Sequence, residues 1–493
     1  MKTRIYIISA FVLFALFTSC DKNFLEKNPP TVISAGNFWG SESEVQQGLA
    51  GCYTRLKGSY LTWSRSTLDA MVDNGYSKGY FADNYTVQTG TLDPVNCNIP
   101  NALYGAAYAG IASCNVFLEN FKKANLPAAK ANVYEAEARF LRAFFYFELA
   151  QRWGGVVLYK ETPATIEDYK IAKSTEADVF AFIAEDLTFA VANLPDNKYS
   201  TGHAMKTSAL ALQARIALFQ SRYDDVITLT NAITSSAAGY TLATDLRSIF
   251  VKQEGQATCP EIIFSVRYLA TNDGKQNEVD VGSEVCLFRE SGLNPSKDLM
   301  NDYEAGDLRA TRWFYSCPDK YTFVRYTDGF VYTGNEMMAT QYGTQKFAAI
   351  FDPLLYQSAM RSIITGHDFV FLRLADVYLM YAEAQVEKGG GTTTDANALK
   401  YINAIRSRAG MTVPYTSLSR ANVRLERRRE MAMEGLRFYD IKRWKIGSTL
   451  TGKEIYNNGG VSYKMTWNDK MYYWPFSQSE MDINKKLVNN PIY

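Results

Sequence analysis

The sequence carries two histidines, His203 and His367, and none of its seven cysteines forms a Cys-x-x-Cys pair. So little imidazole and paired thiol leaves scant material for a zinc site or a histidine-based catalytic triad. Basic residues are not in excess: Lys and Arg number 52 against 51 acidic residues, which excludes the concentrated positive face of a nucleic-acid binder. No apolar run is long enough to span a bilayer as a helix. No EF-hand spacing occurs, and no Pro/Gly/Ser-rich linker or charge run divides the chain. No metal, cofactor or catalytic residue is expected.

What is present begins with the first twenty residues. Lys2 and Arg4 precede an apolar run, Ile5 to Phe17, and Thr18-Ser19-Cys20 follows. A basic start, a short apolar middle and a small-residue end describe a secretory signal, residues 1–19. Cys20 at the cleavage point resembles a bacterial lipobox, in which that thiol is acylated and becomes the first residue of a lipoprotein. Each buried acyl methylene contributes roughly 0.8 kcal/mol, so several chains anchor stably. Residues 20–35 read as the lipidated cysteine and its tether, and 36–493 as one domain. The six remaining cysteines are scattered through a chain large enough to build its own core, so they need not form a disulfide framework.

Aromatic residues make up 14% of the sequence, and many lie outside the periodic segments. Helical periodicity marks about 100–124, 135–153, 176–193, 204–221 and 223–235, with Pro127 and Gly154-Gly155 as breaks. In the second of these, Phe140, Phe144 and Phe147 form one stripe and Leu141, Phe145 and Leu149 the next, which requires a buried helix. Residues 261–268 alternate like a strand, and 320–334 read as a hairpin turning at Asp328-Gly329. Helices return at 368–387 and 395–408, separated by a glycine turn. Helix, short turn and helix with alanines at the contacts is the unit of a tetratricopeptide-type repeat. The string LERRREMAMEGLRFYDIKRW, 425–444, spaces Glu426, Glu430 and Glu434 helically beside three arginines. Paired acids could hydrolyse a glycosidic bond. Neighbouring guanidiniums, however, lower a carboxyl pKa where a general acid needs it raised, and so favour an ion-paired structural helix.

The lipobox leader, the string EAEARFLRAFFYFELAQRWGG (135–155), FLRLADVYLMYAEAQ (371–385), the 425–444 string and the ending YWPFSQSEMDINKKLVNNPIY (473–493) together resemble the SusD/RagB family of Bacteroidetes outer-membrane lipoproteins. The resemblance implies a mostly α fold, a tetratricopeptide-like helix-pair scaffold with irregular loops and a few short strands. It implies a non-catalytic protein at the outer membrane, facing the cell exterior. There it would bind a glycan, or in some members a peptide, and act as lid to a SusC-like TonB-dependent transporter. A secreted glycan hydrolase and a pure interaction scaffold are the alternatives. The family's ligand loops vary, so the resemblance places no binding residue.

Sugars present apolar C–H faces edged by hydroxyls, so their sites combine aromatic platforms with amides, carboxylates and arginines. Two loop regions, about 60–100 and 260–365, offer that mixture. The first holds Asp73, Asn74, Tyr76, Tyr80, Phe81, Asp83, Asn84 and Tyr85, with Trp63 nearby. The second holds Arg312, Trp313 and Tyr315, next to a hairpin bearing Tyr332. The competing reading is that these rings pack irregular loops onto the scaffold or against the transporter.

Overall fold

The computed structural model describes residues 38–59, 61–76, 84–251, 255–268, 293–319, 322–324, 331–333, 341–347, 366–457 and 460–493. The signal, Cys20, the whole tether, and the turn Asp328-Gly329 lie outside them. Helices dominate: α1 Glu42–Thr54, α2 Asn98–Asn120, α3 Ala128–Trp153, α4 Glu176–Asn193, α5 Lys206–Phe219, α6 Tyr223–Thr234, α7 Leu374–Lys388, α8 Ala396–Arg408, α9 Arg420–Met431 and α10 Arg437–Trp444. Successive helices pack as pairs, α2 on α3, α3 on α4, α5 on α6 and α7 on α8, while α7 also lies against α6 and α9.

Most expected boundaries are close to those observed, but α3 begins at Ala128, seven residues before the expected start, α1 has no counterpart in the sequence reading, and one element changes type. Residues 369–373 are not the start of a helix but a strand, β8 (Phe369–Arg373), antiparallel to β2 (Ile262–Val266). Phe369, Phe371 and Val370 suit an extended, fully buried backbone, and tertiary pairing overrides the helical spacing that continues into α7. The hairpin at 320–334 is present: β5 (Thr322–Val324) pairs antiparallel with β6 (Val331–Thr333), within a four-stranded sheet completed by β4 (Phe314–Asp319) and β7 (Tyr342–Thr344).

Helix α3 is buried all round from Phe140 to Trp153, as its double apolar stripe requires. Phe140 meets Phe264 of β2 edge-on at 5.0 Å, and Phe144 meets Phe371 of β8 at 4.9 Å. Its polar side is spent on charge. Arg142 holds Asp186 of α4 through two bonds of 2.8 Å, and Glu135 pairs with Arg139 one turn on at 2.7 Å. Cys52, Cys97, Cys114 and Cys259 are free and buried.

Helix α9 organises the other half of the core. Its glutamates are ion-paired, but their partners come from distant segments more than from the helix itself. Arg309 donates to Glu426 at 2.7 Å and to Glu430 at 3.0 Å. Arg373, at the end of β8, reaches Glu430, Glu434 and Glu261 at 2.7, 2.7 and 2.9 Å. Lys346 donates to Glu434 at 2.6 Å while lying 3.9 Å over the Trp313 ring, and burial pulls its ammonium down to about 8. The arginines point outward from this centre. Arg427 spans Asp440 and Asp376, and Arg429 binds Glu304. Gly435, at φ +70°, turns the chain into α10 where a Cβ would sit 2.4 Å from the Arg65 carbonyl.

Arg373→Met removes one cation from three enclosed carboxylates and is expected to cost about 3–5 kcal/mol, read as a lowered urea midpoint at pH 7. Acid should act in two steps. Burial alone would raise Asp73, Asp376 and Glu430, but guanidiniums and Lys453 hold all three well below the usual range. Their contribution is complete above the unfolded carboxylate pKa, about 4, and is lost as pH falls below it. Asp69, pushed up to about 6 by burial, has the opposite sign, so its contribution shrinks as pH rises through 6. Urea midpoints should therefore rise slightly from pH 7 to 5 and drop steeply by pH 3.

Candidate functional site

Residues 69–76 and Tyr85 lie against α9, α10 and a C-terminal hairpin, β11 (Glu454–Asn457) with β12 (Gly460–Lys464). Two-residue strand β1 (Gly75–Tyr76) pairs antiparallel with β3 (Asn294–Pro295). Asp73 lies beneath them, 1% exposed. It accepts from Arg437 at 2.9 and 3.0 Å and from Lys453 at 2.9 Å. Asn74 accepts from Arg428 Nε at 2.9 Å, and Arg428 continues to Asp298 at 2.8 Å. Asp69 accepts the amides of Met433 and Arg437, at 2.5 and 3.2 Å. Charge from α9 and α10 thus fixes the polar side of a segment whose apolar residues, Ala70, Met71 and Val72, are buried in the core.

Above that floor three rings converge. Tyr85, on the short helix Asn84–Gln88, is 45% exposed and meets Tyr463 of β12 edge-on at 4.8 Å. Tyr76 approaches the same ring at 6.2 Å. The Tyr463 hydroxyl donates to Gln88 Oε1, and Gln88 Nε2 donates in turn to the carbonyls of Val72 and Gly75. Burial raises the Tyr463 phenol well above its ordinary value, so it stays a neutral donor. Tyr456 of β11 donates to Glu454 at 2.6 Å, and Lys297 sits 5.4 Å over its ring. The result is a half-buried tyrosine platform assembled from Tyr76, Tyr85, Tyr456 and Tyr463, beside Lys297. Apolar faces with polar edges suit a hydroxylated ligand.

The sequence-based site splits under this geometry. Tyr76 and Tyr85 come together. Asp73 and Asn74 correct the expectation that they face a ligand: both are buried, with their oxygens engaged by Arg437, Lys453 and Arg428. Trp313 and Tyr315 also turn inward. Trp313 is fully enclosed, donating from Nε1 to the Leu246 carbonyl at 3.1 Å. Tyr315 fills the space left by Gly343, where a Cβ would lie 2.0 Å from its ring. An indole and a phenol between two short strands have more apolar area to bury than the strands can otherwise cover. Arg312 is exposed, and its neighbour Arg309, not singled out in the sequence, is the buried partner of Glu426 and Glu430. Tyr80, Phe81 and Asp83 lie outside the described residues, as do the side chains of Trp63, Asn84 and Tyr332. Sequence reasoning missed Tyr456 and Tyr463, although EIYNNGGVSYK is a hairpin signal with a tyrosine on each arm.

Among the described residues no group of histidines, cysteines and carboxylates is arranged to hold a metal, and no helix is long and apolar enough to cross a membrane. Truncation separates platform from core. Trp313→Ala is expected to cost about 3–5 kcal/mol by thermal or urea unfolding, whereas Tyr85→Ala should stay within about 0.5 kcal/mol of the parent.

Two family models match the chain. One, described as the SusD family, covers residues 317–493, and the other, described as starch-binding associating with outer membrane, covers 23–218. A SusD-like protein of Bacteroides ovatus is 25% identical over 463 residues, spanning 90% of this chain and 83% of its own. The crystal structure of a SusD-like protein from Bacteroides fragilis superposes with a TM-score of 0.76 at 25% identity, covering 95% of this chain and all of the other. A SusD-like carbohydrate binding protein from the same species gives 0.77 at 24% identity, covering 92% of this chain and all of the other.

Proposed function

The chain belongs to the SusD/RagB family, and we propose from that premise that it is a non-catalytic lipoprotein that binds a glycan at the cell surface. In this reading Cys20 carries the lipid and residues 21–35 tether a helical binding body to the outer membrane, on its external face. The body delivers its ligand to a SusC-like TonB-dependent transporter. The observation that carries the binding step is the platform of Tyr76, Tyr85 and Tyr463: rings of which Tyr85 is 45% exposed, supported from below by hydrogen bonds instead of being sunk in the core. The carbohydrate-binding relative of the same fold supports the choice of ligand class.

The charge arrangement argues against hydrolysis. The carboxylates of the 425–444 string are engaged: Glu426 by Arg309, Glu430 and Glu434 by Arg373, and Asp440 by Arg427. Asp69 has the raised pKa that an acid catalyst needs, yet it is fully enclosed and accepts two backbone amides. A general acid must reach the leaving oxygen.

Calorimetric titration of the soluble body against a panel of plant, algal and host glycans tests the reading. At least one glycan should bind without being cleaved. Tyr85→Ala should weaken that affinity about 3- to 10-fold, the loss of an aromatic contact worth roughly 0.5–1.5 kcal/mol. Release of reducing ends by the purified protein would overturn the non-catalytic assignment.

A further inference from the structure

A separate cleft opens along α2. It measures about 290 Å³ and lies between α2, the loop 156–170 and the C-terminal residues 480–487. Four tyrosines run through it as a continuous row: Tyr104 to Tyr108 at 4.6 Å between ring centres, Tyr108 to Tyr159 at 5.6 Å, and Tyr159 to Tyr169 at 5.5 Å. Two of their hydroxyls are turned to the backbone, Tyr108 to the Val157 carbonyl and Tyr159 to the Tyr169 carbonyl, each at 2.6 Å. The amides nearby are likewise spent. Asn115 donates to the Tyr159 carbonyl, and Asn484 to that of Ile171.

Two polar groups remain unengaged. Thr162 Oγ1 is enclosed with no partner. The Glu480 carboxylate is half-buried, and among the described residues no donor reaches it; burial raises its pKa. Polar groups held inside a protein favour a hydrogen-bonding partner, so an occupant that brings donors matches this cleft better than an apolar one. An acyl chain brings none. An ammonium ion would meet Lys170 at the same mouth. A sugar ring supplies both requirements, C–H faces for the tyrosine row and hydroxyls for Glu480 and Thr162.

We propose that this cleft is a second carbohydrate subsite, holding a pyranose unit of a glycan, built from residues separate from the Tyr76–Tyr85–Tyr463 platform. The proposal rests on the glycan-binding reading. The volume lies at the low end of small-molecule sites, roughly 300–1,000 Å³, which suits the end of a short oligosaccharide. Two sites on one body would let a polymer be held at two points, raising its apparent affinity without a new contact.

Three isoleucines, Ile111, Ile166 and Ile483, line the cleft, and the last two are 78% and 66% exposed. Isoleucine-methyl-labelled protein is titrated with maltose, cellobiose, laminaribiose, mannobiose and xylobiose, and separately with hexanoate as an apolar probe. The expected result is a saturable movement of the Ile166 and Ile483 signals with at least one disaccharide. Tyr169→Ala and Glu480→Ala should each weaken it at least fivefold, and Tyr85→Ala should leave it unchanged. Disaccharides that move other isoleucine signals but leave these three still would overturn the subsite while the glycan reading stands. Disaccharides that move no isoleucine signal at all would also overturn the subsite, and the glycan reading then stands or falls on the calorimetric panel alone. Movement with hexanoate alone would make the cleft an apolar anchor site and reject the sugar.

Discussion

The buried charge lattice around α9 is the constraint on which the rest of the structure depends. Five consecutive positions, 426–430, hold five charges that point to different parts of the molecule: Glu426 and Glu430 inward to Arg309 and Arg373, Arg427 to Asp376 and Asp440, Arg428 to Asn74 and Asp298, Arg429 to Glu304. A helix with so many charged side chains has almost no apolar face to bury. It is enclosed because each charge meets an opposite one already oriented by another element. Breaking one contact strands its partner in a low-dielectric interior, and that penalty is larger than the net gain from making the pair. The lattice therefore fixes geometry more than it adds stability.

That property explains how irregular segments are held in register. The chain from Asp69 to Tyr76 contributes one short strand, and β1 pairs with only two residues of β3. Backbone pairing of that length cannot define a surface. Instead Asp69, Asp73 and Asn74 are bound from below by α9, α10 and Lys453, which come from residues more than 350 positions later in the chain. The tyrosines above that floor are positioned without being buried. The same lattice reaches the second region through Lys346, whose ammonium lies over Trp313, and Arg309, one helical turn before that ring. Charge and aromatic packing are one construction there, which is why the indole belongs to the interior.

Much of the scaffold was legible in the sequence because its signals are local. The double stripe of α3, the breaks at Pro127 and Gly154, and the glycine turn between α7 and α8 each involve residues within one or two turns of each other. The site was only half legible. Tyr76 and Tyr85, singled out as candidate ligand contacts because they stand in a polar, glycine-rich stretch, are partly exposed and share one neighbour, Tyr463. Asp73 and Trp313 have equally loop-like neighbours, yet their fate is decided by Arg437 and Lys346, whose proximity no local pattern records. The 369–373 strand failed for the same reason: an apolar run beside a helix reads as helix until β2, a hundred residues earlier, supplies its hydrogen-bond partner.

The distribution of aromatic side chains follows from the two ways this chain covers polar backbone. Where strands are short, as in β2, β8 and β4, rings such as Phe264, Phe371 and Trp313 supply the buried area: Phe371 meets Phe144 and Trp313 meets Phe250 edge-on at 4.9 and 5.8 Å, and Phe264 stacks on Phe371 at 6.3 Å. Where helices already bury enough, tyrosines can sit at the boundary with one side on protein and the other toward water. Their hydroxyls set that position. Tyr463 is tied to Gln88, Tyr108 to Val157 and Tyr159 to Tyr169, so each ring is held by its polar end and its carbon face stays available. Phenylalanine at the same places would have no such tether and would sink or swing. A surface that must grip apolar faces edged by hydroxyls needs rings fixed in that way, and the tyrosine-to-tryptophan ratio of this sequence, 33 to 7, is the compositional trace of that requirement.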